Sequence, residues 1–164
     1  MNFSPAIKGL ITAAAMVAVP LIVYYAGTPA DSPVQFLVYI FYGAGLVWTL
    51  LAYRNTDAFT GKFSESFSQG FKCFVVITLV MVLFTFLFSK MHPEFAEQSV
   101  AYYKEEQLKL LKKGDILPGT MEENVSRYKK GYPTALIYGA IISYLIIGAG
   151  VTAILSVLLN KKNR

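Results

Sequence analysis

Few side chains in this sequence could do chemistry, and they lie far apart. It contains one histidine, His92, and one cysteine, Cys73, separated by 19 residues. A zinc-type site needs several such ligands, and the apolar segments described below put these two residues at opposite membrane surfaces. The sequence has no GxxxxGK[ST], GxGxxG, HExxH or GxSxG element, the motifs of nucleotide, metal and acyl-transfer sites. We therefore expect no cofactor, no metal and no enzymatic activity.

Each of these two residues also has a plain structural interpretation. His92 precedes Pro93 and is expected to be solvated or to cap the helix that follows. Cys73 begins an apolar run and is expected to be a small buried or lipid-facing side chain. Palmitoylation of Cys73 is the alternative, because cysteines beside a membrane span can carry that lipid.

The composition indicates a membrane protein. Of 164 residues, 55% are hydrophobic and 15% are charged, whereas soluble domains average about 25% charged. The charges cluster and leave four apolar stretches, each long enough for a hydrocarbon core about 30 Å thick. The sequence thus predicts an all-α integral membrane four-helix bundle, formed by a single domain. The spans are expected at about residues 7–26, 33–53, 73–89 and 134–159.

The first apolar segment has a second interpretation, as a secretory signal peptide. Its basic region has only Lys8, and its apolar stretch exceeds the usual length of about 7–15 residues. The candidate cleavage site Thr28-Pro29-Ala30 is poor, because proline adjoins the bond. We expect the segment to be retained, whereas cleavage would leave three spans and change the parity of the topology.

An aromatic pattern precedes the third span. Phe63, Phe67 and Phe71 are four residues apart, so they share one helical face. The pattern predicts an amphipathic helix in the membrane interface over about residues 61–72; the alternative is that the third span starts early. Basic residues flank this face, and we expect it to contact anionic lipid headgroups or a partner. The candidate contact set is Lys62, Phe63, Phe67, Gly70, Phe71 and Lys72.

The only extensive polar region lies between the third and fourth spans. Pro93 and Gly114 mark the start and the end of one helix. Thr120 and Glu123 form a capping-box pair for a second helix, which Gly131 is expected to end. These signals predict a helical hairpin outside the membrane, over about residues 93–130.

Small residues in the second and fourth spans predict close helix contacts, because they let helix backbones approach one another in a membrane. No acidic or basic residue lies deep in a span, which argues against ion-coupled transport. The candidate helix-packing residues are Gly43, Gly45, Gly139, Ser143, Gly148 and Gly150.

The order of these features resembles a known family. The sequence has four spans, with the F-x-x-x-F-x-x-G-F-K element that starts at Phe63 before the third span. The Pro93-x-Phe95 element follows that span, and a charged helical insert precedes the fourth. The chain resembles the domain-of-unknown-function 4199 family of small bacterial membrane proteins, which is common in Bacteroidetes. The resemblance implies a four-span fold in the inner membrane, and the family brings no established activity. Family members often have Asp where this chain has His92, so a role for a carboxylate there does not carry over.

Three functions remain open at this stage. The absence of catalytic groups favours a structural or accessory subunit that binds a membrane-protein partner or a second copy of itself. A small oligomeric transporter or channel is the alternative, and binding of lipid through the Phe face is a further one. Nucleic acid is not expected as a partner, because the basic residues lie where loops meet the membrane.

The distribution of basic residues predicts the orientation. One side of the membrane has seven basic residues near span ends and two acids, Asp57 and Glu65. The first connection on the other side has no basic residue, and the long hairpin has eight basic against seven acidic residues. Because basic residues accumulate in the cytoplasm, both termini are expected there. The seven are Lys8, Arg54, Lys62, Lys72, Lys161, Lys162 and Arg164.

Reporter fusions test this orientation. An enzyme that is active only in the cytoplasm, fused after Arg164, is expected to be active, and one that needs the outer compartment is expected to be silent. The opposite pair of results would contradict the prediction.

Overall fold

The computed structural model describes residues 3–27 and 33–161, so the candidate cleavage site at 28–30 and the tail residues 162–164 lie outside it. The described residues form five α-helices and one short 3-10 helix at Pro33–Phe36, with no strand. All α-helices except the fourth are long and apolar enough to cross a membrane, so the predicted all-α class is confirmed, with four candidate spans. The helices are α1 (Pro5–Tyr25), α2 (Leu37–Arg54), α3 (Phe63–Met91), α4 (Pro93–Lys113) and α5 (Pro118–Lys161).

Large apolar side chains cover the outside of these spans. Ile22 in α1, Leu79 in α3 and Ile146 in α5 are each more than half exposed. Soluble monomers rarely expose large contiguous apolar patches, whereas such side chains are stable against lipid. The distribution of apolar surface therefore agrees with a multi-pass membrane protein.

The chain divides into two compact units. The bundle unit comprises residues 1–83 and 140–164, and the hairpin unit comprises residues 84–139. The first contains α1, α2, the first part of α3 and the last part of α5; the second contains α4 and the remaining parts of α3 and α5.

In the bundle unit, close approaches join the four helices in a ring. A Cβ built on Gly9 of α1 would lie 2.8 Å from the Cys73 carbonyl oxygen of α3. One on Gly45 of α2 would collide with Thr12 of α1, and one on Gly70 of α3 would collide with Thr152 of α5. The Tyr42 hydroxyl of α2 donates to the Tyr144 carbonyl oxygen of α5 (2.7 Å) and completes the ring.

The predicted boundary between an interfacial helix and the third span is absent. α3 is one helix of 29 residues from Phe63 to Met91, so it begins ten residues before the expected start of the span at Cys73. No proline interrupts this stretch, and Gly70 is stabilised by its contact with α5. The structure therefore agrees with the alternative in which the helix of the third span starts early.

The predicted break between the hairpin and the fourth span was wrong. α5 runs for 44 residues through Gly131 and Pro133. Pro133 leaves the Lys129 carbonyl without its helical donor, but both residues are exposed, so solvent can bond that oxygen. Thr120 does not cap the helix, because α5 already begins at Pro118, a residue whose fixed φ suits the first helical position.

The hairpin unit is held by a ladder of polar and aromatic pairs. α4 ends at Gly114, whose φ of +81° is the left-handed conformation that glycine adopts readily. Three pairs then join α4 to α5, with steps of four residues on each helix. They are Ser99 with Tyr132 (2.9 Å between hydroxyl oxygens), Tyr103 with Tyr128 (rings stacked at 4.2 Å) and Gln107 with Asn124 (3.0 Å, amide to Oε1).

Candidate functional site

The aromatic residues of the predicted contact set form a row along the first turns of α3. The ring centroids of Phe63 and Phe67 are 5.6 Å apart, and those of Phe67 and Phe71 are 6.5 Å apart. Phe63 and Phe71 are nearly half exposed, and Lys62 and Lys72 are exposed beside them. This Phe row is an open apolar surface with a basic residue at each end.

One carboxylate organises the turn before the Phe row. Glu65 accepts hydrogen bonds from the Thr60 hydroxyl (2.7 Å) and the Tyr53 hydroxyl (3.1 Å). Its other oxygen lies 3.9 Å from Lys62 Nζ, a distance at which an exposed pair contributes little. Glu65 thus joins the end of α2 to the start of α3, and Lys72 pairs with no carboxylate among the described residues.

Gly70 has a different role from the rest of the contact set. It is buried, and a side chain there would overlap Thr152 of α5. It therefore belongs to the interior of the bundle unit, while the Phe row faces outward.

The six candidate packing residues divide into two groups, those that meet another helix and those that do not. Gly45 lies against Thr12, and a Cβ on Gly148 would lie 2.8 Å from Phe74 Cγ and collide with the Tyr42 hydroxyl. The other group makes no close contact: a Cβ on Gly43, Gly139 or Gly150 would meet no atom within 4 Å, and Ser143 is exposed.

Sequence reasoning missed the partners of these glycines. Gly9 and Thr12 of α1 share one helical face, as residues three apart do, and that face meets α3 and α2. Thr152 of α5 is also absent from the predicted packing residues, although it fills the space over Gly70. The spacing of small residues indicates that a helix face can pack closely, but it does not show which helix packs against that face.

Three buried hydroxyls lie on α3 and α5 without a hydrogen-bond partner among the described residues. Serine and threonine in helices commonly donate to the carbonyl four residues earlier, and Thr12 and Thr49 do so (2.8 and 2.9 Å). The unpartnered groups, called here the α3–α5 hydroxyls, do not. They are Ser66, Thr152 and Ser156.

Lys8 and Cys73 are also buried in the bundle unit. Lys8 is 6% exposed, and its Nζ lies 5.7 Å from the centroid of the Trp48 ring. Cys73 is 0% exposed, and its sulfur lies 3.2 Å from the Thr49 hydroxyl oxygen, to which the thiol can donate while that hydroxyl donates to the Gly45 carbonyl. The structure thus agrees with the buried interpretation of Cys73 and does not support palmitoylation, which requires an accessible thiol.

His92 occupies the N-cap position of α4, as one of the two expectations has it, and its side chain is largely shielded from solvent. Its side chain makes no capping hydrogen bond and is 19% exposed. Its Nδ1 lies 2.9 Å from Glu94 Oε1, and its ring centroid lies 4.6 Å from that of Phe88. The carboxylate and the aromatic ring hold it at the α3–α4 corner. Within residues 3–27 and 33–161, no group of three or more His, Cys, Asp or Glu side chains is arranged to hold a metal ion.

Comparison with known proteins gives one match. A family model described as "Protein of unknown function (DUF4199)" matches residues 8–161, nearly the whole chain. No curated protein and no solved structure matches the chain.

Two glycines of α2 provide a matched test of the packing. Gly45→Ala is expected to lower the free energy of unfolding by about 1–3 kcal/mol, because the added methyl overlaps Thr12. Gly43→Ala, in the same helix, is expected to be neutral or to stabilise by up to about 1 kcal/mol, because its methyl enters open space. Unfolding in detergent, followed by circular dichroism, measures both.

A double variant identifies the cause. Thr12→Ala removes the two atoms nearest to the added methyl and is expected to restore part of the stability lost in Gly45→Ala. Equal effects of Gly43→Ala and Gly45→Ala, or no rescue by Thr12→Ala, would contradict the proposed contact.

Proposed function

We propose that this chain, which belongs to the DUF4199 family of proteins of unknown function, is a structural or accessory membrane subunit without enzymatic activity. It binds a membrane-protein partner or a second copy of itself through a helix face that its own fold leaves uncovered. The observation that carries the proposal is that α5 has small residues on two faces, and only one of these faces meets another helix within residues 3–27 and 33–161.

The used face of α5 contains Gly148 and Thr152, which pack on α2 and α3. Ser143 and Gly150 lie on the opposite side of the helix, because residues seven apart nearly align and about 100° separates neighbours. Both are exposed. A small-residue face that remains open after the bundle has formed is available to a helix from another chain.

The open face also has the shape of a helix-docking groove. Ile146 and Ile154 lie four residues on either side of Gly150 and are 67% and 63% exposed. The glycine forms a notch between them, so a partner helix can come within van der Waals contact of the α5 backbone. Van der Waals contact of this kind drives helix association in lipid, where apolar surface alone gives no preference for protein over lipid.

Filling the notch tests the proposal. Gly150→Leu is expected to leave the unfolding temperature unchanged, because its Cβ meets no atom within 4 Å, but to reduce association at least tenfold. Association is measured as energy transfer between labelled copies in liposomes and as partner recovery after crosslinking in native membranes. Gly43→Leu, an equally open glycine on α2, is the matched control. Association that survives Gly150→Leu, or is lost only in Gly43→Leu, would contradict a role for this face.

We further place the chain in a bacterial inner membrane, with both termini in the cytoplasm. The excess of seven basic over two acidic residues near one set of span ends supports that orientation. The same clustering supports the absence of nucleic acid among its partners.

A second candidate is a small oligomeric transporter or channel, and the α3–α5 hydroxyls favour it. A buried hydroxyl without a partner costs about 1–3 kcal/mol, and water along the α3–α5 contact would remove that cost. Ser66 and Ser156 are 0% exposed within one chain, so such a path requires the two helices to separate slightly.

Cysteine accessibility distinguishes the second candidate from the first. In a Cys73→Ala background, a hydrated path predicts that Ser66→Cys and Ser156→Cys react with a small charged thiosulfonate at least tenfold faster than Ile77→Cys. Ile77 is equally buried but apolar, so it reports the rate in a dry interior. Rates equal to that of Ile77→Cys would remove the candidate and leave the subunit role.

Lipid binding at the Phe row is the third candidate. The supporting observation is that Phe63 and Phe71 are partly exposed between Lys62 and Lys72. Rings of this kind insert at the level of the headgroups, and the ammonium groups attract anionic phosphates.

A further inference from the structure

An open groove lies on the hairpin unit, where the sequence of α5 changes from polar to apolar. Its volume is about 290 Å³, near the lower end of the range of about 300–1,000 Å³ for ligand pockets. Its lining residues recur at intervals of three and four, so they share one face of α5. They are Tyr128, Gly131, Tyr132, Ala135 and Leu136.

The groove is built by one glycine and two fixed tyrosines. Gly131 has no atom within 4 Å of the position that a Cβ would take, so the space over it is empty. Tyr128 is stacked on Tyr103 with the ring planes 8° apart, and the Tyr132 hydroxyl accepts from Ser99. The side walls are therefore held by contacts from α4.

The chemistry of the groove changes along its length. Tyr128 and Tyr132 stand among charged residues, whereas Ala135 and Leu136 belong to the apolar sequence that begins at residue 134. Tyrosines concentrate at this boundary in membrane proteins because they have an apolar body and a polar tip. An occupant must therefore be apolar at one end.

A basic residue borders the groove on one side. Lys129 is three residues before Tyr132 and seven before Leu136, so it lies along their edge of the helix. It is exposed and pairs with no carboxylate among the described residues. Lys130, one residue later, projects from the opposite face of α5. The groove thus combines an apolar cleft with one available positive charge.

We propose that this groove binds one phospholipid, with an acyl chain against Ala135 and Leu136 and the anionic phosphate beside Lys129. The site is separate from the Phe row, and it does not depend on the proposed partner binding. Its occupant is a membrane phospholipid with a net negative headgroup, because Lys129 complements that charge at the level where headgroups lie.

Photocrosslinking in nanodiscs tests the site. The probe is phosphatidylglycerol with a diazirine on its acyl chain, diluted into phosphatidylcholine. Crosslinks to residues 128–136 are expected to exceed those to the exposed face of α5 around Gly150. Gly131→Leu fills the groove and is expected to reduce the crosslinks at 128–136 at least fivefold. Gly150→Leu is the matched control and is expected to leave them unchanged.

The headgroup contact is tested separately. Lys129→Gln is expected to abolish the preference for phosphatidylglycerol over a phosphatidylcholine probe with the same diazirine, and Lys130→Gln is expected to retain it. This measurement is independent of the Gly131→Leu variant, so it remains informative if that variant does not fold. Labelling at 128–136 no stronger than elsewhere on α5, or equal in Gly131→Leu, shows surrounding bulk lipid only and overturns the proposal. A preference unchanged by Lys129→Gln overturns the role of the charge.

Discussion

The bundle unit depends on the distance to which helix backbones can approach one another. Helices surrounded by lipid gain little from the hydrophobic effect when they associate, so van der Waals contact and a few hydrogen bonds must hold them. Glycines provide that contact here, on every helix of the ring. Gly9 brings α1 to α3, Gly45 brings α2 to α1, Gly70 brings α3 to α5, and Gly148 brings α5 to α2 and α3. Each helix takes part in at least two of these approaches, and at Gly148 a side chain would meet two neighbouring helices.

The same constraint explains why small polar residues are common among the buried positions of the bundle unit. The buried positions include Thr12, Thr49 and Thr152, whose side chains are short enough to fit where backbones approach closely. Long apolar side chains such as Leu46 and Leu50 fill the rest of the interior, and others, such as Ile146 and Ile154, are exposed, as suits a surface that faces lipid. The helices of the hairpin unit are joined by side-chain pairs of tyrosine, serine and amide groups and not by close backbone approach at glycines. Such pairs set the register of two helices with few buried aliphatic residues.

Features with a local physical cause could be predicted from the sequence, and features set by tertiary contacts could not. Hydropathy predicts four spans because the hydrocarbon core fixes the length and composition of a crossing helix. Pro93 and Gly114 predict α4 because caps act within one turn, and α4 covers Pro93–Lys113. Gly131 indicated a break that does not occur: α5 continues through it and through Pro133, where the exposed carbonyl that loses its helical donor can bond to solvent. Gly43 and Gly45 are alike in sequence, yet only Gly45 meets another helix, and no local signal distinguishes them.

The α3–α5 hydroxyls are the feature that fits a passive scaffold least well. Replacing a buried hydrogen-bonded pair by apolar groups of the same shape is often neutral, but a single unpartnered hydroxyl keeps its full desolvation cost. The net stability of a domain is only about 5–15 kcal/mol, so three such groups cost a substantial part of it. Alanine or valine would fill the same space without that cost, and Ala13 shows that the core of the bundle unit accepts such a residue. Ser66 and Ser156 are 0% exposed, so under either candidate function a polar group could bond to them only after α3 and α5 move apart.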